Sequence, residues 1–276
     1  MKIVFFGSSG YVIPVIGKLK KNFEIELVVT TEKKLEDPVI SYCKKNQLPY
    51  LSTENLSDQD TKYKILNTKS ELAVLADFGL ILPNDILNSF ELGILNIHPS
   101  LLPKYRGPTP VQSAILNNEK ETGVSIIKLD DKVDHGGIFT QAKEEIMFSD
   151  TAQSLYERLF EIGSDLLYQN IKQYIKGNLK LNVQSDEKAT FTKLLTKNDG
   201  YFNLNNAPSL EKLDLMIRAY FPWPSTWTRS MINGKSSIIK FLPEKKLQAE
   251  GKKPVSYKDF INGYPNLDKQ LLALLR

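Results

Sequence analysis

Short, nearly unbroken apolar runs separated by charged, helix-compatible stretches set the strongest limit on how this chain folds. Lys2–Phe6, Ile25–Thr30, Leu72–Ala76 and Ile94–Ile97 are too short for helices and lack the polar alternation of a strand wetted on one face. Such runs fit strands buried on both sides, as in a parallel sheet covered by helices. Between them lie an amphipathic stretch from Tyr11 to Lys20, a segment Pro38–Asn46 with proline at its first turn, and the charged stretch Asp58–Asn67. Strands alternating with helices predict an α/β chain with an open, mainly parallel sheet. Further on, Val124–Leu129 and Ile138–Ile146 read as strands. Thr151–Ile175 reads as a long helix with Leu155, Leu159, Ile162, Leu166, Leu167 and Ile171 on or near one face.

The pattern then changes. Residues 181–200 are polar and poorly periodic, ending in Asn198-Asp199-Gly200. Beyond them Ser209–Tyr220 is helical in pattern and stops before Pro222. Thr226–Ile232 and Lys235–Leu242 flank Asn233-Gly234, a pair that supplies the positive φ of a tight hairpin turn. The division expected is a first domain over 1–182, a linker over 183–200 and a small domain over 201–276.

Several functional classes are excluded early. Cys43 is the single cysteine and His98 and His135 the only histidines, so neither an intrachain disulfide nor a cysteine-based zinc site can form and no metal is expected. A reducing, cytoplasmic setting fits. The N-terminal apolar run is too short for a signal peptide, and the longest apolar stretch, Ala73–Leu82, contains Asp77 and falls short of a membrane span. Gly7-Ser8-Ser9-Gly10 occupies the place of a dinucleotide fingerprint without its glycine spacing, which argues against a nicotinamide cofactor. Charge is uneven: residues 1–180 hold 21 lysines and arginines against 23 acidic residues, while residues 181–276 hold 15 against 9. A basic smaller half points to a polyanionic partner.

The chemistry-bearing residues are Asn96, His98 and Asp134. Asn96 and His98 alternate at the end of an apolar run, so both side chains can face one side of the sheet at its C-terminal edge, where open α/β sheets collect ligands. Pro99–Gly107 follows, with prolines at 99 and 103 limiting the backbone. An amide, an imidazole and a carboxylate are what holding an oxyanion and moving a proton require in acyl transfer. Asp134 precedes Gly136-Gly137 in a turn. His135 reads as a loop residue, and Asp130 and Asp131 as a solvated pair.

Ser100-Leu101-Leu102-Pro103-Lys104-Tyr105-Arg106-Gly107, Glu121-Thr122-Gly123-Val124 and Asp134 together resemble the folate-dependent formyltransferase family. The resemblance covers about the first 180 residues and continues through Leu194–Gly200 and Ile217–Pro224, motifs like those of members that formylate methionyl-tRNA. It implies a Rossmann-like formyltransferase fold in 1–182 and a small β-rich, OB-like C-terminal domain in 201–276 contributing to tRNA binding. It implies Asn96, His98 and Asp134 as catalytic residues, with Ser100, Leu101, Leu102, Pro103, Phe78, Leu80 and Leu82 around the folate donor. The co-substrate implied is 10-formyltetrahydrofolate, the acceptor initiator Met-tRNA, and the enzyme a cytoplasmic monomer that needs no metal. Two features depart from that pattern. Thr30–Pro38 is short, lacks glycine and arginine and includes Glu32, Glu36 and Asp37, and the C-terminal domain is short. Sugar-nucleotide N-formyltransferases share the Ser100–Gly107 loop and are the alternative.

Overall fold

A computed structural model describes residues 1–31 and 37–275. The acidic stretch Glu32–Glu36 therefore lies outside the described residues. Chain order runs β1 (Lys2–Phe6), α1 (Ile13–Leu19), β2 (Glu24–Thr30), α2 (Pro38–Asn46), β3 (Tyr50–Ser52), α3 (Gln59–Leu66), β4 (Leu72–Ala76), α4 (Asn84–Leu87) and β5 (Gly93–His98). It continues through α5 (Pro110–Leu116), β6 (Glu121–Lys128), β7 (Ile138–Glu145) and α6 (Ala152–Ile175). The C-terminal part holds α7 (Leu210–Ala219), β8 (Thr226–Ile232), β9 (Lys235–Leu242), β10 (Lys246–Ala249), β11 (Val255–Ser256), α8 (Tyr257–Gly263) and α9 (Lys269–Leu274).

The first seven strands form one sheet in the order β3-β2-β1-β4-β5-β6-β7. β3 through β5 pair in parallel, whereas β6 and β7 join antiparallel. The sheet is thus mainly parallel, as the apolar runs predict, with an antiparallel margin that their composition does not signal. Period-two alternation sorts the side chains. Ile3, Phe5, Leu72, Val74, Leu95 and Ile97 face a core shared with Phe160, Leu167 and Ile171 of α6. Val4, Phe6, Ala73, Leu75 and Ile94 face a second core with Ile65, Ile86 and Phe90. By the same parity Asn96 and His98 lie on the second face.

Several boundaries move for physical reasons. β6 begins three residues before the apolar run at Val124, because Glu121, Thr122 and Gly123 continue the antiparallel pairing with β7; a Cβ on Gly123 would sit 2.1 Å from the Ala142 carbonyl. The run Ile94–Ile97 lengthens to Gly93–His98, so His98 as well as Asn96 stands within β5. The amphipathic stretch at Tyr11 begins as a 3-10 turn over Gly10–Val12, with the Ser9 hydroxyl accepting from the Tyr11 N–H, before α1. Asp37 caps α2 by accepting from Val39 and Ile40, and Asp58 caps α3 by accepting from Thr61. Cys43 is buried in α2, and burial pushes its thiol up to about 11. Among the described residues no helix is long and apolar enough to cross a membrane.

The chain divides into two compact units. The first comprises residues 1–107, 121–145 and 156–191; the second comprises 108–120, 146–155 and 192–276. In the second, β11-β10-β9-β8 form a separate antiparallel sheet. Asn233-Gly234 turns β8 into β9 with φ of 49° and 77°. Ile239, Phe241, Leu247, Phe260 and Leu271 form its core, and α5 packs against α7.

The Leu194–Gly200 motif also lies in this unit and has a local explanation. Thr196 and Asp199 form a reciprocal capping box, and the Asp199 carboxylate also accepts from Lys193 Nζ at 2.8 Å. The Lys193 ammonium, then the Thr196 backbone and hydroxyl, hold this carboxyl at about 2, below its ordinary 3.8. A depressed carboxyl stabilises the fold fully above its unfolded value, and that contribution disappears as pH falls through the folded one. The stability gap between wild type and Asp199→Asn should therefore be widest near neutrality and shrink from pH 4 towards 2. Urea unfolding across that range measures it, and a gap independent of pH would contradict the assignment.

Candidate active site

The end of β5 places two polar side chains on one face of a sheet that is otherwise apolar there. Asn96 lies between Leu75 of β4 and Ile127 of β6, and His98 beside Ser125 of β6. Both are buried, at 5% exposure each. Buried polar groups need partners, and theirs come from two loops.

The first loop, Pro99–Gly107, turns back through positive φ at Tyr105 (61°) and Gly107 (109°). The Tyr105 carbonyl then lies 2.9 Å from His98 Nε2, and the Gly107 N–H donates to Asp134 Oδ2 at 2.8 Å. With Nε2 donating to that carbonyl, Nδ1 is the nitrogen left to face Asp134, whose Oδ2 is 3.5 Å away. The second loop carries Asp134 itself, at a φ of 48°. Its Oδ1 accepts from Asn96 Nδ2 at 3.2 Å. One carboxylate thereby meets the amide, the imidazole and a backbone N–H. The structure brings the three residues singled out in the sequence to one place, from positions up to 38 residues apart.

The loops are fastened from behind. Ser125, the polar interruption in the apolar run of β6, is fully buried. Its hydroxyl donates to the Ser100 carbonyl at 2.6 Å and accepts from the Leu102 N–H at 3.0 Å and Gln141 Nε2 at 2.7 Å. One donor and two acceptor positions saturate it. Behind the Asp134 turn, Gly136 approaches β6 so closely that a Cβ would lie 1.8 Å from the Lys128 carbonyl.

Gln184, in the stretch expected to be a linker, donates to the carbonyls of Asp134 (2.9 Å) and Gly136 (2.8 Å) and accepts from Arg106 Nε (3.1 Å). Arg106 Nη1 also donates to Asp186 at 2.9 Å, which holds the Asp186 carboxyl below its ordinary range. Sequence reading missed Ser125, Gln141 and Gln184. A polar break in a buried strand signals Ser125, but nothing local marks Gln184. His135 is not free in its loop, since Nδ1 meets Asp130 Oδ2 at 2.5 Å and Nε2 lies 3.5 Å from Asp186 Oδ1. The expected solvated pair therefore splits: Asp131 is exposed, while Asp130 binds His135 and the Lys132 N–H.

The segments expected around the donor occupy one side of the sheet. Phe78, Leu80 and Leu82 pack on the core holding Phe6 and Leu75, with Phe78 edge-on to Phe6 at 5.5 Å. Leu102 packs with Ile127 and Ile138, and Leu129 touches both clusters. Ser100 is fully buried, its hydroxyl donating to the Lys104 carbonyl at 2.7 Å, while Leu101 and Pro103 are half-buried. The Ser100 side chain thus shapes the loop.

A buried amide and imidazole tied to one carboxylate can hold an oxygen that gains charge and relay a proton beside it. The protein family described as formyl transferase matches residues 1–171. Methionyl-tRNA formyltransferase of Chloroflexus aurantiacus is 38% identical over 237 residues, 83% of this chain and 76% of that protein. The Coxiella burnetii protein of the same name is 32% identical over 237 residues, 83% of this chain and 75% of the other. Among solved structures, an N-formyltransferase from Helicobacter canadensis in complex with folinic acid and dTDP-3-aminofucose aligns with a TM-score of 0.64 at 20% identity. It covers 90% of this chain and 95% of its own, and so shares the fold. With its sheet, its clustered polar residues and this family match in hand, the chain belongs to the formyl transferase family.

Proposed function

We propose that the protein transfers the formyl group of 10-formyltetrahydrofolate to the amino group of the methionyl moiety of initiator Met-tRNA, acting as a cytoplasmic monomer. The observation that carries this reading is the 32–38% identity to methionyl-tRNA formyltransferases along 83% of the chain. Asn96, His98 and Asp134 do the chemistry. Asn96 uses one amide hydrogen on Asp134 and has a second to offer the formyl oxygen as it gains charge. His98, with Nε2 engaged by the Tyr105 carbonyl, has Nδ1, on the side of Asp134, to serve that oxygen. Asp134 orients both and helps carry away the proton of the attacking amine. The half-buried Phe78, Leu80 and Leu82 with Leu101 and Pro103 offer an apolar wall for the donor's flat ring system. The basic C-terminal residues supply charge for the tRNA backbone.

An acceptor panel with one formyl donor tests this. Met-tRNA should exceed an amino-sugar nucleotide and glycinamide ribonucleotide in kcat/KM by at least about a hundredfold. Its KM should also rise about tenfold or more between about 50 and 200 mM salt, because phosphate contacts displace counterions. No product with Met-tRNA at saturating enzyme, or preference for the sugar nucleotide, would overturn the reading.

A further inference from the structure

The carboxylate that ties Asn96 and His98 together sits in a backbone conformation that side chains other than glycine rarely adopt, with Asp134 at φ 48°. Its turn has to be held from outside. Gln184 does this with both hydrogens of one buried amide, which donate to the Asp134 carbonyl at 2.9 Å and the Gly136 carbonyl at 2.8 Å. Its oxygen accepts from Arg106 Nε at 3.1 Å. Arg106 belongs to the Pro99–Gly107 loop, whose Tyr105 and Gly107 backbone atoms hold His98 and Asp134. The amide thus joins the two loops that converge on the carboxylate. Its segment is itself anchored at both ends. Asn182 exchanges two backbone hydrogen bonds with Ile138, each 2.8 Å, and Thr190 accepts from the Arg106 N–H at 2.8 Å and donates to the Pro103 carbonyl at 3.2 Å. All these contacts lie within the first unit.

We infer that Gln184 is a positioning residue for formyl transfer, which sets the place of Asp134 by hydrogen-bonding the backbone of its turn. The inference rests on the catalytic role proposed above for Asp134. Displacing a reacting group by about 1 Å can cost on the order of a hundredfold in rate, and Gln184 meets the Asp134 turn only through its backbone, from behind the group, so substrate binding should be spared.

Two variants of the full chain separate positioning from simple bracing of Arg106. Gln184→Ala removes all three hydrogen bonds. Gln184→Glu keeps the shape and an acceptor for Arg106 but sets a carboxylate oxygen against the Asp134 and Gly136 carbonyls. Both should lower kcat by about ten- to a hundredfold with KM for donor and acceptor within about threefold of wild type. A second readout does not depend on turnover. With only two histidines in the chain, the His98 ring signals in a carbon–proton NMR spectrum can be assigned by their loss in His98→Ala. In both Gln184 variants they should move towards their position in Asp134→Asn. A Gln184→Glu enzyme with wild-type kcat, a rise in KM alone, or unmoved His98 ring signals would overturn the inference. Wild-type protein that fails to formylate Met-tRNA would instead overturn the proposed reaction, and the NMR arm would still decide the positioning.

Discussion

Replacing His98 with alanine should lower kcat for formyl transfer by about a thousandfold or more while the protein stays folded. Loss of one preorganised donor to a developing oxyanion typically costs about 10²–10³ in rate, and loss of a positioned proton-transfer group about 10²–10⁴. His98 stands where both effects meet. Its Nε2 is fixed by the Tyr105 carbonyl at 2.9 Å, which leaves Nδ1, 3.5 Å from Asp134 Oδ2, as the ring nitrogen that serves both roles in the proposed reaction. The ring's polar contacts are with Tyr105 and Asp134 rather than with Phe78, Leu80 or Leu82, so KM for the folate donor should change by less than about fivefold. Thermal unfolding should remain cooperative, at a temperature lowered by the lost hydrogen bond to the Tyr105 carbonyl, because the apolar cores on either side of the sheet keep all their members. A variant that keeps more than a tenth of wild-type kcat would show that the reaction does not run through this imidazole.

The sequence made part of this site visible because its geometry is local. Two residues apart on an extended strand means one face, so the pairing of Asn96 with His98 could be read from spacing alone. Asp134 could not. Nothing in an aspartate-glycine turn says which strand end it overhangs, and its role came from the resemblance of whole motifs. Ser125 lay open to a different kind of reading: a lone hydroxyl in an apolar run must find partners when buried, although which loop it pins depends on the antiparallel pairing of β5 with β6. Gln184 was beyond reach. Its segment makes isolated bridges to Ile138 and Arg106 instead of a continuous ladder, so it carries no period and reads as a polar linker. The fold divides along the same line. Buried parallel strands announce themselves through composition, whereas short elements such as β3 and α4, and the mixed tail that forms β10, β11, α8 and α9, take shape from tertiary contacts that no local pattern encodes.

Asp134→Asn is the second substitution expected to have a large effect, and its logic is one of donors and acceptors. The carboxylate accepts on both oxygens, from Asn96 Nδ2 at 3.2 Å on one and from the Gly107 N–H at 2.8 Å on the other, with His98 Nδ1 beside the latter. An amide of the same shape must turn its NH₂ towards one of these partners. Facing Gly107, it would oppose a backbone N–H that cannot change its role. The favoured orientation therefore puts the NH₂ against Asn96, whose own amide can flip to present oxygen. That flip withdraws the N–H that Asn96 would offer the formyl oxygen, and the neutral side chain no longer offers His98 a negative charge. The expected result is a kcat about a thousandfold below wild type with both KM values little changed. The coupling gives a sharper measurement. If Asp134 acts by orienting Asn96 and His98, the double variant Asn96→Ala/Asp134→Asn should be barely slower than the worse of the two single variants, because residues that act as a unit do not add. Single losses that multiply in the double variant would mean that the two side chains work independently, and the carboxylate would lose its place as the hub of the site.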